Sequence, residues 1–510
     1  MINHWWVTRP KRKLDSVPEV LSAIASQALD AEWLGQRPTH LSVEEVLEAS
    51  GLKRVGQRRD QTGGGARTYI AWLKSLGLVF IQESTKQLRL TLAGEALMAG
   101  DSPVSVISNQ VLKYQFPSSF SLGRGVDVSP RFKIQPFLFL LALLMDSRLG
   151  YLTQEEIAKI VITEAETPRS FEHIVDRILA FRNFGDKLFP QNYFEDNFGA
   201  SFSKLNDTAN TFVNWLNYTQ FISREEGKIE ILSDRIEDVA AILSQKHPLI
   251  DRPNQQEFFQ RKYGVDPKHS KDTRNLEGTV SITPRMLGEA KIKAAYIAES
   301  LKTPITAITS ALIEKISSNT GIDPVLVEDF LMKNYASGSV SAFMTEYFNM
   351  AFKGTEQATD FEKATCTLFS DVFKFTAKHV GPIGLTPDVL ILSDEDGYQA
   401  IIDNKAYSKY SINNDHHNRM VHNYINGLAN YSSFRAPLAF FSYIAGGFTS
   451  KIDEQLGRIY TETGVKGSAM PVSHMIKLVE QATERTVTHE EIRNLFSIGR
   501  RVQLSDIYYS

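Results

Sequence analysis

The most constraining feature of this sequence is a short apolar run, residues 389 to 392, which follows Pro387 and precedes an acidic turn at residues 393 to 397. An apolar run bounded by turn signals is typical of a buried strand. The next segment, residues 398 to 407, is again largely apolar. Together the two segments predict a β-hairpin.

Three charged side chains belong to this hairpin. Strand residues two apart share a face, so Asp403 and Lys405 are expected to project together from the second strand, while Asp388 lies at the start of the first. Two carboxylates and an ammonium at an apolar sheet edge are costly to desolvate unless a cation lies among them. Two acidic oxygens suit Mg²⁺, which keeps several of its own waters. We therefore predict a magnesium site at Asp388 and Asp403 for phosphodiester hydrolysis, in which Lys405 orients the attacking water or stabilises the phosphate.

The spacing of these residues is not specific by itself. An acidic residue two positions before a lysine also occurs at Glu226, Asp266 and Glu289. Among these four acid–lysine pairs, only the one at Asp403 follows a Pro-Asp dipeptide at hairpin distance and ends an apolar strand. The alternative is a surface hairpin that carries a solvated Asp–Lys pair.

The residues around this motif resemble a known group. Residues 403 to 408 read Asp-Asn-Lys-Ala-Tyr-Ser and follow Pro387-Asp388, which is similar to the cleavage domain of the FokI-like type IIS restriction endonucleases in the PD-(D/E)xK nuclease superfamily. The resemblance covers residues 356 to 500, including a later strand that ends in Gly446-Gly447.

This resemblance implies an α/β nuclease core, with a mixed sheet flanked by helices. Carried over by position, it makes Asp388 and Asp403 the metal ligands and Lys405 the catalytic lysine. The group usually adds an acid from a preceding helix, and here Glu362 lies beside an apolar helical stripe that follows cap candidates Thr359 and Asp360. Glu362 is thus a fourth predicted catalytic residue. A solvated helix glutamate is the alternative.

Composition limits the class of protein. A chain of 510 residues with 42% hydrophobic residues is long enough for about three domains with packed cores. The net charge of −3 means that a positive DNA-binding surface has to be local. Cys366 is the only cysteine, so an intrachain disulfide is excluded and a reducing compartment is expected.

The sequence also predicts a cytoplasmic protein of a bacterial cell with no membrane partner. The longest apolar run, residues 137 to 145, has nine residues and falls short of the ~20 needed to span a bilayer. The N-terminal segment has basic residues but lacks the apolar core of a signal peptide.

Residues 1 to 100 are predicted to form a winged-helix DNA recognition domain. A helix over residues 41 to 51 has Ser42 as its cap and ends at a glycine, and a second helix covers residues 66 to 78. Two short strands follow at residues 79 to 82 and 87 to 91. In this order of elements the second helix is the natural occupant of a major groove.

A basic, glycine-rich stretch lies between the two helices and supplies the predicted DNA contacts. Arginine pairs with guanine, arginine and lysine bind phosphates, and amide or hydroxyl side chains contact base edges. The alternative is a solvated charged loop. The residues predicted to contact double-stranded DNA here are Lys53, Arg54, Arg58, Arg59, Gln61, Arg67 and Thr68.

Residues 101 to 245 are predicted to be a second winged-helix-like recognition domain. The segment from residue 111 to 118, with its Lys-aromatic-Gln-aromatic-Pro-Ser order, resembles the AlwI-like restriction and nicking endonucleases. On that resemblance Lys113, Gln115 and Arg131 are further DNA-contact candidates. The alternative is that these side chains pack among their aromatic neighbours.

The rest of the chain is divided into a helical linker, residues 246 to 337, and the PD-(D/E)xK endonuclease domain, residues 338 to 510. Residues 246 to 285 are polar and are predicted to be an exposed connector. In the nuclease domain, His416, His417 and His422 are predicted to contact DNA phosphates or a partner rather than a metal.

In the FokI-like group the helix after the catalytic strands pairs two cleavage domains through a charge pair. The corresponding positions here are Asn418 and His422, so that pair is absent. A transient homodimer through the nuclease domain is therefore left open, and so is the cutting of one strand only.

The predicted function is that of a type IIS-like restriction endonuclease, which binds a duplex sequence and hydrolyses the backbone nearby with Mg²⁺. One alternative is a strand-specific nicking or modification-dependent nuclease. Another, of a different class, is a non-cleaving DNA-binding or transcription protein.

Overall fold

In the computed structural model the chain forms two compact units. The structure describes residues 1–54, 63–120, 127–225, 227–276, 278–336, 338–354, 357–381 and 385–508. The first unit comprises Met1–Ala298 and Thr309–Tyr335, and the second comprises Glu299–Ile308 and Ala336–Ser510. The predicted boundaries at residues 100 and 245 lie inside the first unit, so the division into four parts stays a prediction. Over the described ranges, every helix is too short or too polar to cross a bilayer.

The first unit is mainly helical, and one of its helices, Pro284–Ser300, extends two residues past the boundary at Ala298. Its helices are α1 (Val17–Ala28), α2 (Arg37–Ala49), α3 (Gly64–Ser75), α4 (Leu92–Met98), α5 (Pro103–Lys113), α6 (Pro136–Met145), α7 (Gln154–Glu156), α8 (Ile162–Glu164), α9 (Phe171–Phe184), α10 (Tyr193–Phe198), α11 (Phe202–Tyr218), α12 (Ile236–Ser244), α13 (Gln256–Tyr263), α14 (Pro284–Ser300), α15 (Ser310–Thr320) and α16 (Pro324–Tyr335). A π-helical turn, Ile157–Val161, joins α7 to α8.

Two small antiparallel sheets complete this unit. Strands β1 (Val79–Ile81) and β2 (Leu88–Leu90) form a hairpin directly after α3. Strands β3 (Leu152–Thr153), β4 (Ile222–Glu225) and β5 (Lys228–Ile231) form the second sheet, in the order β3-β5-β4.

The predicted order of helix, helix and hairpin is present between residues 37 and 90. The first of these helices begins earlier than predicted, at Arg37, and has Pro38 in its first turn. The predicted cap at Ser42 is therefore wrong, and the Ser42 hydroxyl instead donates to Gln27 Oε1 at 2.9 Å. The predicted glycine stop of the second helix is confirmed, since Gly77 follows α3 with a φ of 68°.

The prediction of an exposed connector is wrong for the part of the segment that forms α13. Phe259 and Tyr263 lie one helical turn apart and are buried. The Tyr263 hydroxyl lies within hydrogen-bond distance of two backbone carbonyls, Ser75 O at 3.0 Å and Gln110 O at 2.9 Å. Polar residues dominate the composition of this segment, but its aromatic side chains decide where it packs.

The second unit is an α/β structure built around one sheet. Its helices are α17 (Met344–Met350), α18 (Ala358–Thr367), α19 (Asn414–Asn418), α20 (Ile452–Thr463), α21 (Val472–Glu484), α22 (His489–Phe496) and α23 (Leu504–Tyr508). π-Helical turns extend α18 through Leu368–Val372 and α19 through Arg419–Ile425. Its strands are β6 (Thr376–His379), β7 (Val389–Ser393), β8 (Tyr398–Lys405), β9 (Leu438–Ala445) and β10 (Gly467–Pro471).

The five strands form a mixed sheet in the order β10-β9-β8-β7-β6. Strands β6, β7 and β8 pair antiparallel, whereas β8, β9 and β10 pair parallel. The central strands are buried on both faces, as their continuous apolar sequences predict. The α/β core with a mixed sheet flanked by helices is thus confirmed.

Each face of this sheet has its own apolar core. On one face, Phe440 of β9 packs against Phe496 of α22, with ring centroids 5.5 Å apart, and Phe496 also contacts Phe369 after α18. On the other face, Leu390 and Ile401 belong to a core cluster with residues of the π-helical turn Arg419–Ile425 and of α20. Helices on both faces leave the strand ends as the accessible part of the sheet.

A network of ion pairs in the first unit is centred on Asp272, whose side chain is 3% exposed. Asp272 lies 2.9 Å from Arg261 Nε and 2.8 Å from Arg274 Nη2, and Arg274 also pairs with Glu95. Burial acts to raise the pKa of Asp272, but the hydrogen bonds from Arg274 and Arg261 lower it well below its usual range. The ionised carboxylate therefore stabilises the folded state at neutral pH, and this contribution is lost only in strong acid.

Replacing Asp272 with alanine is expected to destabilise the first unit by roughly 2–4 kcal/mol, because two arginines lose the carboxylate between them. Thermal and urea unfolding of the full chain measure the effect. The control is Asp251→Ala, which removes an exposed pair with Lys262 on the same segment and should change stability little. Equal losses in the two variants would contradict a special role for Asp272.

Candidate functional site

The two predicted metal ligands face each other across β7 and β8. Val389 pairs with Ile402 in this antiparallel ladder, so the next residues outward, Asp388 and Asp403, lie opposite one another. Directly opposite residues of an antiparallel pair project to the same face. The structure therefore brings the two carboxylates together at the open end of the hairpin.

The backbone around Asp388 is held by neighbouring strands. The N–H groups of Val380 and Gly381 donate to the carbonyl of Asp388 at 2.9 and 3.2 Å. The N–H of Asn404 donates to Asp388 Oδ2 at 2.6 Å. One carboxylate oxygen is thus fixed by the main chain of β8.

Asp403 is almost fully buried, at 2% exposure. Its Oδ2 atom lies 2.6 Å from Lys405 Nζ, while its Oδ1 atom is buried and has no hydrogen-bond partner among the described residues. A buried carboxylate oxygen without a partner is costly unless something else completes the site. Lys405 ends β8 and shares the face of Asp403, as predicted.

The electrostatics of the three groups are coupled. Burial, followed by repulsion from Asp403, raises the pKa of Asp388 well above its ordinary value. Burial acts to lower the pKa of Lys405, but Asp403 and Asp388 outweigh it, and the net pKa is raised. Lys405 is therefore charged at neutral pH, and its ammonium group faces two carboxyl groups.

Glu362 of α18 lies on the same side of the site. Its charge acts on Asp388, and its Oε2 atom lies 2.8 Å from His379 Nε2. Gly381 lies beside Glu362 and leaves room for its side chain. A Cβ at position 381 would come within 3.1 Å of Glu362 Oε2. The side chain is only 18% exposed, so it is not the freely solvated glutamate of the alternative.

The predicted cap of α18 is wrong. The helix begins at Ala358 with Gln357 before it, so Thr359 and Asp360 lie inside the first turn. The apolar stripe is nevertheless as predicted, since Phe361, which opens it, is fully buried. The stripe sets the rotation of the helix, and therefore the direction of Glu362, without help from a cap.

Asn404 lies between Asp403 and Lys405 in β8, so its side chain points to the opposite face of the sheet. The sequence analysis assigned no role to this residue. Its Nδ2 donates to Thr365 Oγ1 at 2.7 Å, and Thr365 lies 2.8 Å from the Tyr347 hydroxyl. These contacts anchor β8 to α18 and α17. The strand alternation was a signal for the direction of Asn404, but not for its partners.

The residues present fit a hard divalent cation. Within the described ranges, His, Cys, Asp and Glu side chains form no group of three or more that is arranged around a metal position. Asp388 and Asp403 nevertheless offer two oxygens, one of them without a partner, in a site with excess negative charge. Mg²⁺ commonly binds through one or two carboxylates and completes its shell with water.

The histidines after β8 differ in their surroundings. His416 Nδ1 lies 2.9 Å from the Tyr410 hydroxyl, and His417 Nε2 lies 2.9 Å from Glu462 Oε1. His422 and Asn418 are exposed. Homodimerisation through this surface stays a prediction.

The predicted DNA contacts of the first unit lie around α2 and α3. Lys53 pairs with Glu44 at 3.2 Å and Glu48 at 2.7 Å. Arg54 and Thr68 are exposed, and the Thr68 hydroxyl donates to Gly64 O at 2.9 Å. The predicted contacts that lie outside the described residues are Arg58, Arg59 and Gln61.

One face of α3 lines a cavity of about 470 Å³. Arg67 and Lys74 lie on this face, and Lys86 follows from the β1–β2 turn. The lining also includes the amide side chains of Gln82, Asn254, Gln256 and Gln260. Three basic side chains, four amides and one carboxylate, Glu83, thus line one concave surface.

The three candidates from the AlwI-like segment have intramolecular partners. Lys113 Nζ donates to Val265 O at 2.9 Å, and burial lowers its pKa against the effect of Asp266. Gln115 exchanges hydrogen bonds with the backbone of Ile250 at 3.1 and 2.7 Å. These contacts favour the packing alternative for Lys113 and Gln115.

Arg131 is engaged in the same way. Its guanidinium donates to the Asn3 side chain at 2.7 Å, to Thr163 O at 2.6 Å and to Glu166 at 2.7 Å, and it lies 4.3 Å from the centroid of the Phe132 ring. A guanidinium with this many internal partners serves packing in the structure described.

The chain matches two protein-family models. Residues 74–276 match the model described as AlwI restriction endonuclease, and residues 321–503 match the one described as FokI, cleavage domain. The second match contains Asp388, Asp403, Lys405 and Glu362. A comparison with curated proteins gave no match.

Among solved structures, the chain is similar to restriction endonuclease FokI, at 15% identity over 99% of this chain and 100% of that chain, with a TM-score of 0.29. FokI bound to DNA gives 14% identity, the same coverage and a TM-score of 0.28. The BpuJ1 endonuclease binding domain, in complex with pyrene- and phenanthrene-modified DNA, gives 14% identity over 52% of this chain and 98% of that chain, with a TM-score of 0.35. Scores this low do not establish a common fold.

Replacing Asp388 with asparagine is expected to stabilise the metal-free protein at pH 8 by about 1 kcal/mol, because the neutral amide removes the repulsion with Asp403 and still accepts from Asn404 N–H. The pKa of Asp388 is raised in the folded state, so the wild type loses stability as the pH rises above the ordinary carboxyl range. The difference should vanish at lower pH, where both proteins are neutral at this position.

Hydrogen exchange of the β7 and β8 amides in chelating buffer measures this difference between pH 4 and 8. Glu395→Gln, an exposed change in the turn of the same hairpin, is the control and should show no such trend. If the Asp388→Asn variant is less stable than the wild type at pH 8, repulsion between Asp388 and Asp403 does not explain the raised pKa.

Proposed function

We propose that this chain, a FokI/AlwI-like restriction endonuclease and thus a type II site-specific deoxyribonuclease, hydrolyses DNA at the site of Asp388, Asp403 and Lys405 with Mg²⁺. The single observation that supports this site best is the placement of Asp388 opposite Asp403, with Lys405 beside them and one oxygen of Asp403 without a partner in the part of the chain that the structure describes. The alternative of a non-cleaving DNA-binding protein is wrong, because both matched families are endonucleases.

Each side chain has a part in the proposed chemistry. Asp388 Oδ2 is held by the main chain, and Asp403 Oδ1 accepts no hydrogen bond from any described residue, so the two side chains would hold the cation between them. When bound, Mg²⁺ would offset the charge that develops on the phosphate. Lys405, whose raised pKa keeps it charged, would orient the attacking water or stabilise the phosphate oxygens.

Glu362 is proposed as the third acid of the site. It lies on the side of Asp388 but is bonded to His379, so it would act through charge or through a water rather than as a direct ligand. Its contribution is therefore smaller than that of either aspartate.

We infer that the first unit binds the duplex through a winged-helix arrangement of α2, α3 and the β1–β2 hairpin. The order of these elements supports this proposal, as do the basic side chains of Arg67, Lys74 and Lys86 at one concave surface. Arg54 and Thr68 are exposed. A net charge of −3 makes a local basic surface of this kind necessary for phosphate binding.

Asp403→Ala and Lys405→Ala are each expected to reduce cleavage of plasmid DNA in Mg²⁺ by a factor of about 10³ or more, because they remove a ligand and the charged lysine. Chelation of divalent ions should abolish wild-type cleavage, and added Mg²⁺ should restore it. Glu395→Gln, at the far end of the hairpin, should cut like the wild type. Retained cleavage by Asp403→Ala would refute the proposed site.

Arg67→Ala and Lys113→Ala are expected to separate DNA binding from packing. Loss of Arg67 should weaken binding to a cleavable duplex about tenfold, because an arginine contact to base or phosphate is removed. Loss of Lys113 should lower stability, since Val265 O loses one of its two donors and keeps only Asn109 Nδ2, and leave affinity within about twofold. Fluorescence anisotropy with a duplex taken from mapped cleavage products measures both, and the reverse pattern would overturn the assignment.

A further inference from the structure

Backbone hydrogen bonds connect the loop after β8 to the segment after β9. Tyr410 N–H donates to Gly447 O at 2.9 Å, Gly447 N–H donates to Tyr407 O at 3.3 Å, and Thr449 N–H donates to Tyr410 O at 3.0 Å. A Cβ at Gly447 would come within 2.3 Å of Ser408 O, so this close approach requires glycine. Tyr410 is therefore held in place five residues after Lys405.

Tyr410 in turn orients His416. The Tyr410 hydroxyl lies 2.9 Å from His416 Nδ1, and the two ring centroids are 5.6 Å apart. Burial, followed by the charge of Asp403, raises the pKa of Tyr410, so its hydroxyl keeps its proton and is able to donate a hydrogen bond to Nδ1. A neutral imidazole that accepts at Nδ1 carries its proton on Nε2.

The imidazole of His416 lies near the proposed catalytic groups. Burial, followed by the positive charge of Lys405, lowers the pKa of His416, while Asp403 acts in the opposite direction. The packing agrees with this position, because the Tyr410 ring that contacts His416 lies 5.4 Å from the Tyr443 ring, and Tyr443 is the neighbour of Asp403 in the pairing of β8 with β9. His416 is half-buried and remains accessible from outside. It is thus a neutral N–H donor at the rim where a DNA backbone would approach.

We propose that His416 Nε2–H donates a hydrogen bond to a phosphate oxygen of the strand that is cut, and that Tyr410 is the positioning residue that holds this tautomer. The inference rests on the proposed nuclease function and adds a specific substrate contact to it. A hydrogen bond to an anionic oxygen is roughly twice as strong as one between neutral groups. A neutral donor also avoids the repulsion that a second cation would have with Lys405.

Two substitutions of His416 separate the proposed contact from the packing of the ring. In His416→Gln the side-chain amide nitrogen can take the place of Nε2 and still donate. In His416→Asn the amide reaches only as far as Nδ1, so it can accept from Tyr410 but cannot reach the substrate. The control is Asn414→Ala, an exposed change on α19.

Single-turnover cleavage in Mg²⁺ of a duplex taken from mapped products is the measurement. His416→Asn is expected to cut about 10-fold more slowly than the wild type, His416→Gln within about 3-fold, and Tyr410→Phe between the two. Duplex affinity, measured in Ca²⁺, should change less than about 2-fold, because one contact among many phosphate contacts is removed. Equal hydrogen-exchange protection of α19 in all variants would show that the rates do not reflect unfolding.

The phosphate itself can be located by replacing single phosphates near the cut with uncharged methylphosphonates. One replacement should slow the wild type about 10-fold but have little further effect on His416→Asn, since the same contact is already lost. Additive effects at every position would overturn the inference.

These experiments distinguish a failure of the proposed nuclease function from a failure of the His416 contact alone. A wild-type protein that cuts no DNA in Mg²⁺ or Mn²⁺ would remove the proposed function as well. A wild type that cuts, with His416→Asn equally fast, would overturn the His416 contact alone. A His416→Gln variant as slow as His416→Asn would do the same, because it keeps the donor.

Discussion

The antiparallel pairing of β7 with β8 is the constraint on which the proposed site depends. It places two carboxylates opposite each other at the end of a hairpin whose strands are otherwise apolar. Like charges opposite one another in a sheet are unfavourable. The core on both faces has to outweigh this cost, and the packing of Phe440 against Phe496 and the cluster around Ile401 show where that stabilisation comes from.

The unfavourable free energy of placing Asp388 opposite Asp403 is not fully offset by the other groups of the site. Lys405 neutralises one carboxylate, Asn404 N–H bonds to the other, and one oxygen of Asp403 still lacks a partner. Strained electrostatics of this kind are typical of positions kept for chemistry rather than for stability. The first unit contrasts with it, because Asp272 lies between two arginines and its charge is fully compensated.

Sequence patterns were sufficient for β7 and β8, because a continuous apolar run between turn signals leaves few options, whereas β6, which has the sequence Thr-Ala-Lys-His, was not predicted. The face shared by Asp403 and Lys405 followed from the strand period. Helix starts were less predictable. Ser42 and Thr359 have the right chemistry for caps, but the proline after Arg37 and the packing of Phe361 decide where α2 and α18 begin and how they are oriented.

Long-range contacts were beyond sequence reasoning. Lys113 and Gln115 have the chemistry of DNA-contact residues, yet their partners are backbone groups of Val265 and Ile250, more than a hundred residues away. Likewise, the polar composition of residues 246 to 285 concealed α13, which packs through its aromatic residues. A side chain's chemistry does not tell which distant backbone group will approach it.

The hairpin turn at residues 394 to 397 lies at the far end of β7 from the carboxylates. Five strand residues at about 3.4 Å each separate the two by roughly 17 Å. Changes of loop length at the tip can therefore be absorbed in solvent. A one-residue deletion inside either strand, by contrast, would rotate one acid to the opposite side of the sheet. Natural variants of this chain should accordingly differ in length at the tip and keep the spacing along both strands.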